Sequence, residues 1–170
     1  MNRAVWFILP MIISFTILQG QEINRKCMDP RFEREVIVGA CNREGLENDE
    51  EFGEPFKSGY SEYQSDEEII QKLGALKEDY KILVVLGTWC DDSKEQVPHF
   101  YHILDDMQFD EKMLTIICVD GKKSCPDIDL EPFSIEFVPT FIFFRGGTEL
   151  GRIVESPQMS LEEDMLNILE

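Results

Sequence analysis

The chain has 170 residues, 34 of them acidic against 16 basic, and a formal net charge of -18. Such a chain is repelled by phosphate backbones and anionic lipid, and no Lys/Arg cluster offsets the charge, so nucleic acid is excluded as an expected partner. The length is one domain's worth once an N-terminal signal is set aside, enough for a sizeable core.

Residues 1–20 read MNRAVWFILPMIISFTILQG, with Arg3 as the only charge and an apolar run from Ala4 to Leu18. The run is shorter than the roughly 20 residues a helical span needs. The segment reads as a signal peptide with its junction at Gly20-Gln21, a short uncleaved anchor being the other reading. A periplasmic or secreted protein follows, with no stable membrane insertion after cleavage.

Residues 21–64 read as an acidic and aromatic N-terminal extension packed on a domain at 65–170. The extension holds one short apolar run, VIVG at 36–39, a strand or a turn. Across 42–68, ten acids face Arg43 and Lys57. Phe52, Phe56 and Tyr60 fall four apart and Tyr63 three further on, which is one helical stripe. Gly53, Pro55 and Gly59 argue against a clean helix there. The stripe is expected to pin the segment to the domain, a partner-binding patch being the alternative.

Ser65 with Glu68 predicts a capped helix whose apolar side is Ile69, Ile70, Leu73 and Leu76. KILVVLG at 81–87 is an unbroken apolar run, the pattern of a strand buried on both faces. A helix from Asp91 to Leu104 offers Val97, Phe100, Tyr101 and Leu104 to the core, with Pro98 inside it. MLTIICVD at 113–120 is a second buried strand and GKKSCPD at 121–127 a loop. FVPTFIFFRGG at 137–147 holds a third strand that turns at Gly146-Gly147 into a fourth, ELGRIVE at 149–155. Ser160 with Glu163 caps a last helix carrying Leu161, Met165, Ile168 and Leu169. This order implies an α/β fold with a central mixed sheet, helices on both faces, and a C-terminal β-hairpin plus helix.

Five cysteines are present: Cys27, Cys41, Cys90, Cys118 and Cys125. In an oxidising compartment an odd number leaves a free or intermolecular thiol. Cys27 with Cys41, and Cys118 with Cys125, are candidate pairs. His99 and His102 lie three apart on one helix, but two ligands do not complete a metal site. No glycine-rich phosphate cradle is present, and neither cofactor nor metal is expected.

Cys90 stands apart from the other four. It sits after a buried strand and at the mouth of a helix, where free N–H groups and the dipole favour a thiolate. Asp91 and Asp92 oppose that anion, so the expectation is a modestly acidic thiol. Ser93 stands where a second thiol would complete a CxxC; it offers the sulfur a hydrogen bond and no disulfide.

The run GTWCDDSK at 87–94, the buried strand before it, Pro98, and Val138-Pro139-Thr140 before a strand resemble the thioredoxin family over about 66–170. The TWCxDS core (Thr88 to Ser93) and the Val119 to Lys123 segment look most like secreted thioredoxin-like proteins of Bacteroidetes. The resemblance implies a three-layer thioredoxin-like fold with Pro139 cis and opposite Cys90 across a substrate cleft lined by Asp91, Asp92, Val138 and Thr140. Trp89, Cys90, Ser93 and Pro139 would then form the catalytic group. The family's second cysteine is replaced by Ser93, and its buried acid would fall at Val84. Four outcomes stay open. Cys90 forms mixed disulfides with protein or small thiols; or Cys118 or Cys125 resolves it; or Cys90 reduces peroxides with Lys94, Lys122 or Lys123 as cationic partner; or the cleft is a binding module without catalysis.

Overall fold

The computed structural model describes residues 22–76 and 80–170. The expected signal peptide at 1–20 lies outside the described residues. Strands β1 (Lys26–Asp29) and β2 (Arg34–Ile37) pair antiparallel as a separate hairpin. Gly39 has φ +102°, a conformation that favours glycine, and there the chain turns into β3 (Gly39–Cys41). Helices α1 (Arg43–Glu47), α2 (Gly53–Glu62) and α3 (Glu67–Ala75) lead to β4 (Tyr80–Leu86) and α4 (Asp91–Asp106). Then come β5 (Leu114–Cys118), a long connection at 119–139, β6 (Thr140–Arg145), β7 (Thr148–Val154) and α5 (Leu161–Leu169).

Strands β3 to β7 form one five-stranded sheet in the order β3-β5-β4-β6-β7. Only the β4–β5 pair is parallel. The protein is therefore a mixed α/β fold with a central mixed sheet and a C-terminal hairpin and helix. β4 is central, and its continuous apolar run serves two layers as the pattern requires. Ile82, Val84 and Leu86 join the core beneath the five helices, whereas Leu83 and Val85 face the other way. That second face is covered by Val36 of β2 and Val38 just after it, by Ile128, Leu130, Phe133 and Ile135 of the long connection, and by Trp89. A single 3-10 turn, Glu131–Phe133, is the only helical element described there.

The segment at 21–64 contributes more than an outer layer. β3 forms one edge of the main sheet, and Phe52 and Phe56 are at most 1% exposed within the helical core. α2 forms despite its glycines and proline because of where they stand. Pro55 is in the first turn, where an N–H has no intrahelical partner. Gly59 faces α4, and a Cβ there would lie 2.9 Å from Pro98 Cγ. The residue that argued against a helix is the one that lets two helices approach.

Two local expectations change. The N-cap of α3 is Asp66, whose carboxylate accepts from the N–H groups of Glu68 and Ile69. The Ser65 hydroxyl donates instead to Asp106. The candidate disulfides are not formed, and all five cysteines are free thiols. Cys27 packs on the hairpin side of the sheet and Cys41 on the helical side. Antiparallel pairing of β3 with β5 puts Cys41 and Cys118 on one face, with their side chains in hydrogen-bond contact. Cys125 lies in the opposite layer from Cys118. The Ser160 cap is as expected: its hydroxyl accepts from the Glu163 N–H at 3.2 Å.

Candidate active site

Where β4 ends, Gly87-Thr88-Trp89 turns the chain into α4. Gly87 is required by proximity: a Cβ there would lie 2.5 Å from Trp89 Cε2. The indole folds back over it and donates through Nε1 to the Val119 carbonyl at 2.9 Å. Thr88 is buried, and its Oγ1 accepts from the Ile37 N–H at 3.3 Å, tying this turn to the hairpin. Cys90 is the N-cap of α4 with extended backbone, φ -90° and ψ 128°. Its thiol makes no capping bond and donates to the Val138 carbonyl at 3.1 Å. The Val138–Pro139 peptide is cis. Two segments nearly fifty residues apart, the Trp-Cys turn and Val138-Pro139, thus meet at one sulfur.

Ser93 is fully buried, and its Oγ accepts from the Gly87 N–H at 3.4 Å. It braces the strand-to-helix turn, while the sulfur of Cys90 finds its partner in Val138.

Cys90, Trp89 and Val138 line a cleft of about 210 Å³ together with Arg31, Gly121, Lys123, Phe137 and Glu155. Three residues expected at the cleft are elsewhere. Asp91 projects into solvent with its side chain 98% exposed and pairs with Lys94 at 3.7 Å. Asp92 is on the same first turn and does not line the cleft. Thr140 is buried, and its hydroxyl donates to the Phe137 carbonyl at 2.7 Å.

The two candidate resolving thiols differ. Cys118 is fully buried on the helical side of the sheet. Burial, with Cys41 beside it, pushes its pKa well up, which makes it a poor nucleophile. Cys125 shares the layer of Cys90 and borders a larger hollow of about 720 Å³ in the connection at 123–136. The histidines serve packing. His99 stacks on Tyr63 at 4.4 Å, and burial lowers its pKa. His102 meets the Tyr60 carbonyl at 2.8 Å through Nδ1.

The hairpin tip was absent from the sequence reading. Phe32 stacks on Trp89, with centroids 5.0 Å apart and planes 20° from parallel. Asp29, 4% exposed, accepts from the N–H groups of Gly121 at 2.6 Å and Arg31 at 2.8 Å. The Arg31 guanidinium donates to the Gly121 carbonyl. Burial by itself raises the Asp29 pKa. The two N–H donors and the charges of Arg31 and Lys122 outweigh it and hold the carboxyl below the usual range. A depressed carboxylate stabilises the fold above its unfolded pKa and loses that contribution as pH falls through the folded value. The tip is therefore expected to stay docked at neutral pH and to loosen below about pH 4. Trp89 fluorescence, followed by acid titration in wild type and in Asp29→Asn, checks this. The wild-type change in that range should vanish in the variant.

The family model described as thioredoxin matches residues 42–166. The chain belongs to the thioredoxin family. This thioredoxin-family chain resembles a solved protein of unknown function from Pseudomonas aeruginosa at 14% identity and a TM-score of 0.51. That match covers 68% of this chain and 80% of the other. Oxidised mitochondrial thioredoxin 3 from Saccharomyces cerevisiae aligns at 20% identity and a TM-score of 0.34, over 56% of this chain and 86% of that one. No curated protein matches the sequence. Membership in the family points, at a coarse level, to thiol–disulfide redox function. Among the described residues no helix is long and apolar enough to cross a membrane.

Proposed function

We propose that this protein carries out thiol–disulfide exchange in the cell envelope through one nucleophilic cysteine, Cys90. The observation that carries the reading is the Cys90 sulfur in an open cleft, 3.1 Å from the carbonyl of Val138, with a buried serine in place of a second thiol. The Cys90 thiolate attacks one sulfur of a disulfide, forms a new S–S bond and expels the other sulfur as a thiolate. A second, external thiolate then attacks the mixed disulfide and returns Cys90 to its reduced form. The electrons pass between sulfurs only, so the cycle needs no cofactor, and its partners are protein or low-molecular-weight thiols. The Val138 backbone, next to the sulfur, is placed to pair with an extended substrate chain.

The envelope setting rests on the signal-like segment 1–20. The TWCxDS core supports grouping the chain with the secreted Bacteroidetes proteins. Ser93 favours a second reading, a binding module that uses the same cleft without turnover.

One experiment separates the two. Reduced protein is mixed with glutathione disulfide, and adducts are located by mass. The exchange reading expects one adduct, on Cys90, that persists until free thiol is added. Native alkylation should rank Cys90 first, Cys27 next and Cys118 last. The Cys27 pKa is raised by burial and by Asp120 and Asp29, and Cys118 is deeper still. If Cys90 takes up neither reagent faster than Cys118, the binding module is the better account. If the adduct collapses to a Cys90–Cys125 disulfide, the single-cysteine cycle is replaced by internal resolution.

A further inference from the structure

The tip of the β1–β2 hairpin lies outside the segment that matches the family, yet it builds one wall of the Cys90 cleft. Gly121 is where it lands. A Cβ on Gly121 would stand 2.7 Å from Phe32 Cε2, 3.0 Å from Asp29 Oδ2 and 3.1 Å from Arg31 Cδ. The tip and the connection after β5 exchange hydrogen bonds at this one residue: Asp29 accepts from its N–H and Arg31 donates to its carbonyl.

Asp29 divides its work between two oxygens. Oδ1 accepts from the Arg31 N–H and shapes the turn, while Oδ2 reaches across to Gly121. The turn needs only the first bond. The second is what the buried carboxylate gains by docking, and without it one oxygen of the desolvated charge loses its N–H donor. Beyond Gly121, Phe32 lies flat on Trp89. Arg31 and Lys123 then stand in the same cleft as Cys90, with Phe137 and Glu155 among its other lining residues.

We infer that the hairpin tip is a fixed wall that restricts Cys90 to low-molecular-weight or extended thiol substrates, and that Asp29 is the positioning residue that holds the wall in place. The inference rests on Cys90 being the reactive thiol and narrows its substrate class. A cleft of about 210 Å³ with the sulfur beside Val138 takes a single extended chain or a small disulfide. A cysteine on a folded protein surface brings neighbouring backbone that meets Arg31 and Phe32 first.

The test compares wild type, Asp29→Asn and Phe32→Ala. Each is alkylated under native conditions with iodoacetamide and with a maleimide carried on the surface of a small folded protein, and the adducts on Cys90 are located by mass. Labelling by the bulky reagent then tracks opening of the wall, an equilibrium in which a lost bond to a buried charge counts for about tenfold or more. Both variants should gain about that factor with the bulky reagent. With iodoacetamide they should change by less than about twofold. Labelling of Cys118 is the control for general loosening and should stay at the wild-type level. A bulky-reagent rate that is unchanged in both variants, with normal iodoacetamide labelling, overturns this inference and leaves the exchange reading standing. So does a gain matched by equal exposure of Cys118. If Asp29→Asn fails to fold, Phe32→Ala decides alone, because its half-buried ring can be removed without burying a charge. A Cys90 that ignores iodoacetamide in every variant overturns the exchange reading, and this inference with it.

Discussion

Replacing Cys90 with serine is expected to abolish the proposed thiol–disulfide exchange, lowering the rate of mixed-disulfide formation by at least about a thousandfold. The reason is chemical before it is structural. A hydroxyl at neutral pH is almost wholly protonated and does not displace sulfur from sulfur, whereas a thiol supplies the attacking anion. The other four cysteines are not expected to take over. Cys41 and Cys118 lie beneath the helical layer, Cys27 is half-buried with a raised pKa, and Cys125 is buried on the opposite side of the sheet. Serine matches the size of cysteine, and Cys90 is only partly buried, so thermal stability should move by less than about 1 kcal/mol. The measurement is the rate of adduct formation with glutathione disulfide, read by mass, beside a melting curve. A Cys90→Ser protein that exchanges at the wild-type rate would remove Cys90 from the chemistry and move attention to Cys125.

Phe56→Ala costs about 3–5 kcal/mol of folding stability, a large share of what a domain this size possesses. Phe56 is 1% exposed in the middle of an aromatic group. Its ring meets Tyr101 edge-on at 5.5 Å and lies parallel to Tyr60 at 6.3 Å. Phe52 tilts against it from the preceding turn, at 6.3 Å. Truncation leaves a cavity between α2 and α4, and those helices are held close by Gly59 against Pro98, so little collapse is available. The midpoint of urea unfolding measures the effect. A loss below about 1 kcal/mol would mean that residues before 65 are attached to the fold without supporting it. A loss in the expected range makes α2 part of the domain's own core.

These two expectations differ in how far the sequence alone supports them. Cys90 was legible because its placement is local. An apolar run, a turn and a helix start fix where the residue stands, and Val138-Pro139-Thr140 before the next strand points to the partner. The unbroken run at 81–87 likewise announced burial on both faces, and Ser160 with Glu163 announced a cap. For the strand and the cap the deciding pattern spans a few residues, so composition and spacing carry it; the meeting of Cys90 with Val138, 48 residues on, was implied only by the resemblance.

Phe56 was half legible. Its four-residue spacing from Phe52 and Tyr60 gave the helical face, but Gly53, Pro55 and Gly59 pointed the other way. What reversed them was the neighbour: Gly59 meets Pro98 from another helix, and no local pattern states which helix will be adjacent. The cap on α3 failed for a related reason. Ser65 and Asp66 are both good N-caps, and Asp106, from α4, took the serine.

From the sequence by itself came the mixed α/β order, the central buried strand, the place of Cys90 at the start of a helix and the serine that stands where a second thiol would complete a CxxC. Only the tertiary structure decided which residues surround that sulfur. Asp29 and Gly121 are 92 positions apart, and the contact between them builds a wall of the cleft. Cys41 found Cys118 because β3 lies beside β5, while both candidate disulfides were split between opposite faces of the sheet. Periodicity tells a residue which side of its own strand or helix it occupies. Strand order and register then decide what it faces there, and both are settled by burial of the whole chain at once.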